Sequence, residues 1–362
     1  MAALTVLAGA CADPGRGHTP GAGALASDAG PEAAVTGNDD GGDAVADGLV
    51  VSTTAADGRS DTVARDGGDD IGGDSGGYPL NDAGRNQGNK VTSDHTIIDE
   101  TAPLPLSAEE LAAELTERER ALRSGELTRE QLAQVGRRQQ ALYRRLGVRP
   151  EWADTVLDEV AGDVADAVAL NWEARQNLQA LLATHVLHDT MPAWRIVPPP
   201  PAEELLTYYK EAQSETGIEW EYLAAINLVE TRMGRIQGIS TAGAVGPMQF
   251  LPTTWAECCQ GDPTVPRDAI IGAATYLTHR GGPANMSKAI WGYNNSGHYV
   301  DAVTAYARVM MEDERAYHGY HAWGVYFLTT EGVIAIDEGY EPDAEIPVTE
   351  WLARNPETLV SG

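Results

Sequence analysis

From Ser107 onward, apolar and polar positions alternate with helical spacing. Ser107-Ala-Glu-Glu110 reads as a helix cap with an acidic first turn, and Leu111, Leu115 and Leu122 mark one face behind it. Gly125 breaks that face. Leu127-Thr-Arg-Glu-Gln131 opens a second helix, with Leu132, Val135, Leu142 and Leu146 on its apolar side; Gly147 and Pro150 end it. Val156, Val160, Val164, Val168 and Trp172 then recur every four residues, and Leu178, Leu181, Leu182 and Val186 carry the stripe onward. This spacing predicts a third helical run. Such helices wrap one another or pad a neighbouring domain, and no heptad is sustained long enough for a coiled-coil oligomer. The stretch 105–192 offers no chemistry and reads as accessory helices.

Pro192 and the run Pro198-Pro-Pro-Pro201 form a stiff boundary. Beyond it the pattern predicts helices over Ala202–Thr216, Trp220–Glu230, Thr254–Cys259, Ala269–His279, Ser287–Tyr293 and Tyr299–Met311, with Gly217 between the first two and Asp268 capping the fourth. In the tail, 319–362, Val325–Thr329 and Val333–Ile336 flank Glu331-Gly332 and predict a small hairpin. Trp351 and Leu352 tack a final turn onto the body. The fold class is therefore mainly α.

The N-terminal part changes the picture. Residues 12–98 are dominated by Gly, Asp, Ala, Ser, Thr and Asn, and Tyr78 is their only aromatic. Such a segment cannot bury enough apolar surface to offset its ordering entropy, and it is expected to be a disordered acidic linker. It serves either as a spacer behind an anchor or as an unconstrained tail. Ahead of it, Met1–Cys11 runs through small residues into a cysteine. This resembles the end of a bacterial lipoprotein signal cut short at its start, with lipid attachment at Cys11; the alternative is a flexible terminus with a chance cysteine.

The formal net charge of −29 and the lack of a Lys/Arg run argue against nucleic acid. No GxGxxG or GxxxxGK[ST] is present, so no nucleotide cofactor is expected. Without a CxxC pair or HExxH, no metal is expected either. Cys258 and Cys259 read as neighbouring thiols rather than a vicinal disulfide.

The candidate chemistry lies in Asn227–Arg235 and Ser240–Phe250. Glu230 follows Leu223 and Ile226 by seven and four positions, so the three share a helical face. A carboxylate on an apolar face is desolvated and its pKa rises, which suits it to hold a proton for a leaving oxygen. The alternative is a partly exposed glutamate near a helix end.

Four motifs then occur in order. They are Glu230-Thr-Arg-Met-Gly234; Ser240 with Gly243-Ala-Val-Gly-Pro-Met-Gln-Phe250 and Pro252; Asp268-Ala-Ile270 with Ala273-Ala-Thr-Tyr-Leu277; and Tyr293-Asn-Asn-Ser296 with Tyr299-Val300. Over Leu205–Met311 the chain resembles the lytic transglycosylases of the lysozyme-like superfamily, especially their membrane-bound branch. Thr231 and Pro247 depart from the Ser and Leu of the soluble branch.

The resemblance implies a lysozyme-like catalytic domain over 202–318, acting on peptidoglycan glycan strands. Glu230 would protonate the MurNAc–GlcNAc oxygen and then deprotonate the C6 hydroxyl, giving a 1,6-anhydro product. Ser240, Met248, Gln249, Tyr293 and Asn294 would form the substrate site. Each of these has a structural alternative: loop bonding for Ser240 and Gln249, core packing for Met248 and Tyr293, and backbone bracing for Asn294. Two other functions stand beside this one. A muramidase would use water, activated by Glu257, Asp262 or Asp268. A wall-binding protein would carry a silent domain. A monomer on the outer side of the cytoplasmic membrane or in the wall is expected, with a lipid anchor if Cys11 is modified.

Overall fold

The computed structural model describes residues 102–183 and 187–360. The signal-like segment with Cys11, the acidic linker and Val186 lie outside the described residues. Helix α1, Ala108–Arg123, starts where Ser107 Oγ accepts from Glu110 N at 3.2 Å. Helix α2, Arg129–Val148, carries a reciprocal cap: Gln131 N donates to Thr128 Oγ1 at 3.3 Å, and Thr128 N donates to Gln131 Oε1 at 2.9 Å. Leu111, Leu115, Leu142 and Leu146 are fully buried, each contributing about 1.5–3 kcal/mol relative to exposure.

The third helical run is broken. Helix α3 spans Ala153–Glu159, and α4 spans Ala165–Leu182. Between them the backbone leaves the helix at Val160 (ψ 144°) and re-enters after Val164. Gly162 and Asp163 lie in this turn, and Asp163 pairs with Arg120 of α1 at 2.6 Å. Val156, Val160, Val164 and Val168 are all buried, so the four-residue spacing recorded burial correctly while the chain turned.

Helix α5, Ala202–Thr216, ends at Gly217, which takes the left-handed φ of 76°. Helices α6 (Trp220–Thr231), α7 (Pro252–Cys258), α8 (Pro266–His279), α9 (Met286–Tyr293), α10 (Gly297–Glu312) and α11 (Ala316–His321) complete the helical body. Asp268 is not the cap of α8. Pro266, suited to a first helical position, starts the helix two residues earlier, and Asp268 Oδ2 instead accepts from Asp262 N at 3.0 Å. Helix α10 lies between α4 and α6, presenting Ala302, Val303, Tyr306 and Val309 as buried side chains. One hydrophobic cluster thereby runs from the N-terminal helices through α10.

A second cluster holds short strands: β1 (Thr190–Met191), β2 (Arg195–Ile196), β3 (Ile236–Gln237), β4 (Val325–Thr329), β5 (Gly332–Ile336) and β6 (Ile346–Pro347). The expected hairpin is the antiparallel pair β4–β5, with Phe327 opposite Ile334. Strand β6 pairs with β1, and β2 pairs with β3. Helix α12, Val348–Arg354, follows β6, and Trp351 packs edge-on to Tyr340 at 5.2 Å.

Cys258 and Cys259 form a disulfide, correcting the reading of two free thiols. Cys258 ends α7 and Cys259 is extended (φ −133°, ψ 165°). That break in the backbone brings neighbouring sulfurs together, where an unbroken helix or strand would hold them apart.

Candidate active site

Helix α6 is apolar on nearly every side, and each residue from Leu223 to Thr231 is buried. Glu230 is therefore carried inside, with 4% of its surface exposed. Burial pushes its carboxyl from the ordinary 4.5 up to about 7, against the opposing pull of one hydrogen bond. That bond comes from the Tyr299 hydroxyl, which donates to Glu230 Oε1 at 2.7 Å. Tyr299 is fully buried near the start of α10. Burial and the nearby Glu230 hold the Tyr299 phenol well above its usual range, so it stays a donor.

The chain leaves α6 through three consecutive left-handed residues: Arg232 (φ 54°), Met233 (φ 60°) and Gly234 (φ 85°). Two of the three are not glycine, a costly backbone that the surroundings must hold. Arg232 N bonds to Leu228 O at 3.2 Å, and Met233 N to Asn227 O at 3.1 Å.

The loop after β3 folds in two turns. In the first, Gly243 N donates to Ser240 O at 2.8 Å, and Ser240 Oγ accepts from Ala244 N at 3.0 Å. In the second, Val245 and Phe250 exchange backbone bonds of 2.9 and 3.0 Å around Gly246–Gln249. Gly246 is required here: its φ is 75°, and a Cβ would lie 1.8 Å from Pro263 O. Gln249 also has positive φ, 50°, and its Nε2 donates to Gly246 O at 3.0 Å.

Helix α9 closes the far side of this turn. The Tyr293 hydroxyl donates to Met248 O at 2.6 Å, and its ring packs edge-on to Phe250. The hydroxyl on the acid thus belongs to Tyr299, and that of Tyr293 holds the loop. Met248 has no exposed surface, and its sulfur accepts from Asn227 Nδ2 at 3.0 Å; it packs in the core. Asn294 ends α9, its N–H donating to Ile290 O at 3.1 Å and its carbonyl accepting from Ser296 N at 2.7 Å. Ser240 and Gln249 are 8% and 9% exposed, so each keeps a little surface.

The role of Tyr299 is not visible in the sequence alone. Its position in the fourth motif was the available signal, but spacing could not decide which of two nearby tyrosines reaches Glu230. The other carboxylates considered are engaged elsewhere or exposed. Asp262 Oδ1 accepts from Thr264 N and Oγ1 at 2.8 and 2.7 Å, Asp268 holds Asp262 N, and Glu257 is exposed on α7.

The family model of the Transglycosylase SLT domain matches residues 207–312. The match runs from the second turn of α5 to the end of α10 and takes in all four motifs. A lytic transglycosylase domain of the lysozyme-like superfamily is thus present in this chain, which is an enzyme of that activity. No curated protein and no solved structure matches the chain.

Proposed function

We propose that the chain cleaves the β-1,4 bond between MurNAc and GlcNAc in peptidoglycan and leaves 1,6-anhydromuramoyl ends, with Glu230 as the single acid and base. The observation carrying this reading is the buried Glu230, raised to about 7 inside the transglycosylase domain and held by Tyr299. At this pKa the group donates a proton near neutral pH and can take one back. Protonation of the glycosidic oxygen breaks its bond to C1 of the muramoyl sugar. The resulting carboxylate removes the C6 hydroxyl proton, the C6 oxygen bonds to C1, and the acid is restored without water.

The engagement of Asp262 and Asp268 in their own turn favours this route over an inverting hydrolysis, in which a second carboxylate activates water. Gln249 and Ser240 bind sugar or acetamido groups beside the acid. Tyr293, Met248 and Asn294 shape the same site from beneath. The functional body is 202–318, with 105–192 buttressing it through α4 and 319–362 closing the tail. Glu230→Gln should retain the fold and lower release of soluble fragments from purified peptidoglycan by about 100-fold or more. Near-normal turnover by that variant would overturn the assignment.

A wall substrate requires export. Among the described residues no helix is long and apolar enough to cross a membrane. The lipoprotein-like run into Cys11 supplies a retention device instead, with 12–98 as the spacer. Fractionation of cells expressing the natural gene should find the protein with the membrane, and a wholly cytoplasmic protein would exclude this localisation.

A further inference from the structure

We infer that Asn227 and Thr231 are positioning residues for this reaction, tying the Gly246–Gln249 turn to the Glu230 helix through one shared acceptor, the carbonyl of Pro247. The inference rests on the reading of Glu230 as the acid and of Gln249 as a sugar contact. Asn227 Nδ2 donates to Pro247 O at 3.1 Å, and Thr231 Oγ1 donates to the same oxygen at 2.6 Å. The two donors stand one helical turn apart on α6, three residues before the acid and one after it. Both are buried, at 0% and 1% exposure.

The Thr231 hydroxyl has a second task. It accepts from Gly234 N at 3.0 Å, so its own hydrogen is directed to Pro247. One oxygen therefore joins the end of the helix, the left-handed exit at 232–234 and the Met-Gln turn. The next carbonyl of that turn, Met248 O, is held by Tyr293 of α9. The backbone of Gln249, at φ 50°, is fixed between these clamps. The separation of acid and amide is thus set by side chains on the acid's own helix.

Stability alone is a poor reason for an amide at position 227. Among the described residues its buried Oδ1 has no hydrogen-bond partner, a cost of the same order as its donor bonds return. What the amide achieves is placement of the Pro247 carbonyl, and a reacting geometry loses rate steeply when displaced.

The test uses the full chain and soluble glycan strands, with kcat, KM, melting temperature and pH profile measured together. Thr231→Val removes the hydroxyl at nearly equal volume. It should lower kcat about tenfold or more, with KM within about twofold. Thr231→Ser restores the hydroxyl and should restore turnover. Asn227→Leu removes both the donor and the unpaired oxygen. It should melt at or above the wild-type temperature while losing kcat by a similar factor. The descending pH limb should stay in place in all three, because burial and Tyr299 set the acidity of Glu230. Wild-type kcat in Asn227→Leu, equal damage by Ser and Val at 231, or losses of kcat that simply follow melting temperature would each overturn the inference. If Thr231→Val fails to fold, Asn227→Leu decides. Glu230→Gln in the same assay separates the two readings. An active Glu230→Gln removes the acid assignment, whereas a dead one beside fully active Asn227 and Thr231 variants removes only the positioning role.

Discussion

Tyr299 donates its hydroxyl to Oε1 of Glu230 at 2.7 Å, across the contact between α10 and α6. The bond stabilises the carboxylate and so opposes the effect of burial, which is the larger of the two. The carboxyl therefore rests at about 7 rather than higher.

The first step needs protonated Glu230. We predict that kcat/KM is level at mildly acid pH and falls above about 7, roughly tenfold per pH unit, as the acid ionises. In Tyr299→Phe the carboxylate loses its donor, so the descending limb should move to higher pH. The maximal kcat should fall about tenfold, consistent with a lost hydrogen bond to a charged group. A pH–rate profile of both proteins checks this. A limb that stays in place would dissociate Tyr299 from the acidity of Glu230.

Folding stability should carry the same signature. Below about 4.5 the carboxyl is protonated in both folded and unfolded chains, and burial has no charged form to penalise. As pH rises to about 7, the unfolded chain ionises first and gains relative to the native state, so stability is lost. Glu230→Gln cannot ionise. It should be more stable than wild type above about pH 7, by up to about 3 kcal/mol, with the difference vanishing near pH 4. Denaturant titrations at several pH values measure this directly.

Much of this was legible in the chain, for reasons tied to particular residues. Pro201 and Gly217 punctuate helix α5, so the sequence marks both of its ends. Two apolar runs flanking Glu331-Gly332 mark the hairpin β4–β5. The pairs β1–β6 and β2–β3 were not legible: two-residue strands leave no period, and the partners lie far apart in sequence. The break between α3 and α4 was hidden because buried valines kept their spacing through the turn. At the site, the buried side of Glu230 followed from Leu223 and Ile226. The choice of Tyr299 over Tyr293 depends on where α9 and α10 cross the loop, which spacing does not encode.

Tyr293→Phe should lower both kcat and stability, since the Tyr293 hydroxyl is one of the two clamps on the Gly246–Gln249 turn. It strands Met248 O in a buried place, at a cost of about 1–3 kcal/mol. The pH limb should be unmoved, since the Tyr293 hydroxyl bonds to Met248 O and its loss leaves the Tyr299 donor on the acid in place. Thermal melting and the pH profile of this variant, set beside those of Tyr299→Phe, separate the two roles.

Cys258 and Cys259 should resist an alkylating reagent until a dithiol reductant is added, because their sulfurs are bonded to each other. Peptide mass mapping reads this as two alkyl groups, on Cys258 and Cys259, that appear only after reduction, whatever the state of Cys11. Alkylation of Cys258 or Cys259 without reductant would contradict the disulfide.

The central claim is that Glu230 alone serves as acid and base while the substrate's own C6 hydroxyl replaces water. Mass spectrometry of purified peptidoglycan digested by the wild-type chain tests it most directly. The account predicts fragments ending in 1,6-anhydromuramic acid, lighter by one water than their reducing counterparts and absent when Glu230→Gln is used. Fragments ending in reducing muramic acid, or glycan left unchanged beside an active control enzyme, would contradict it.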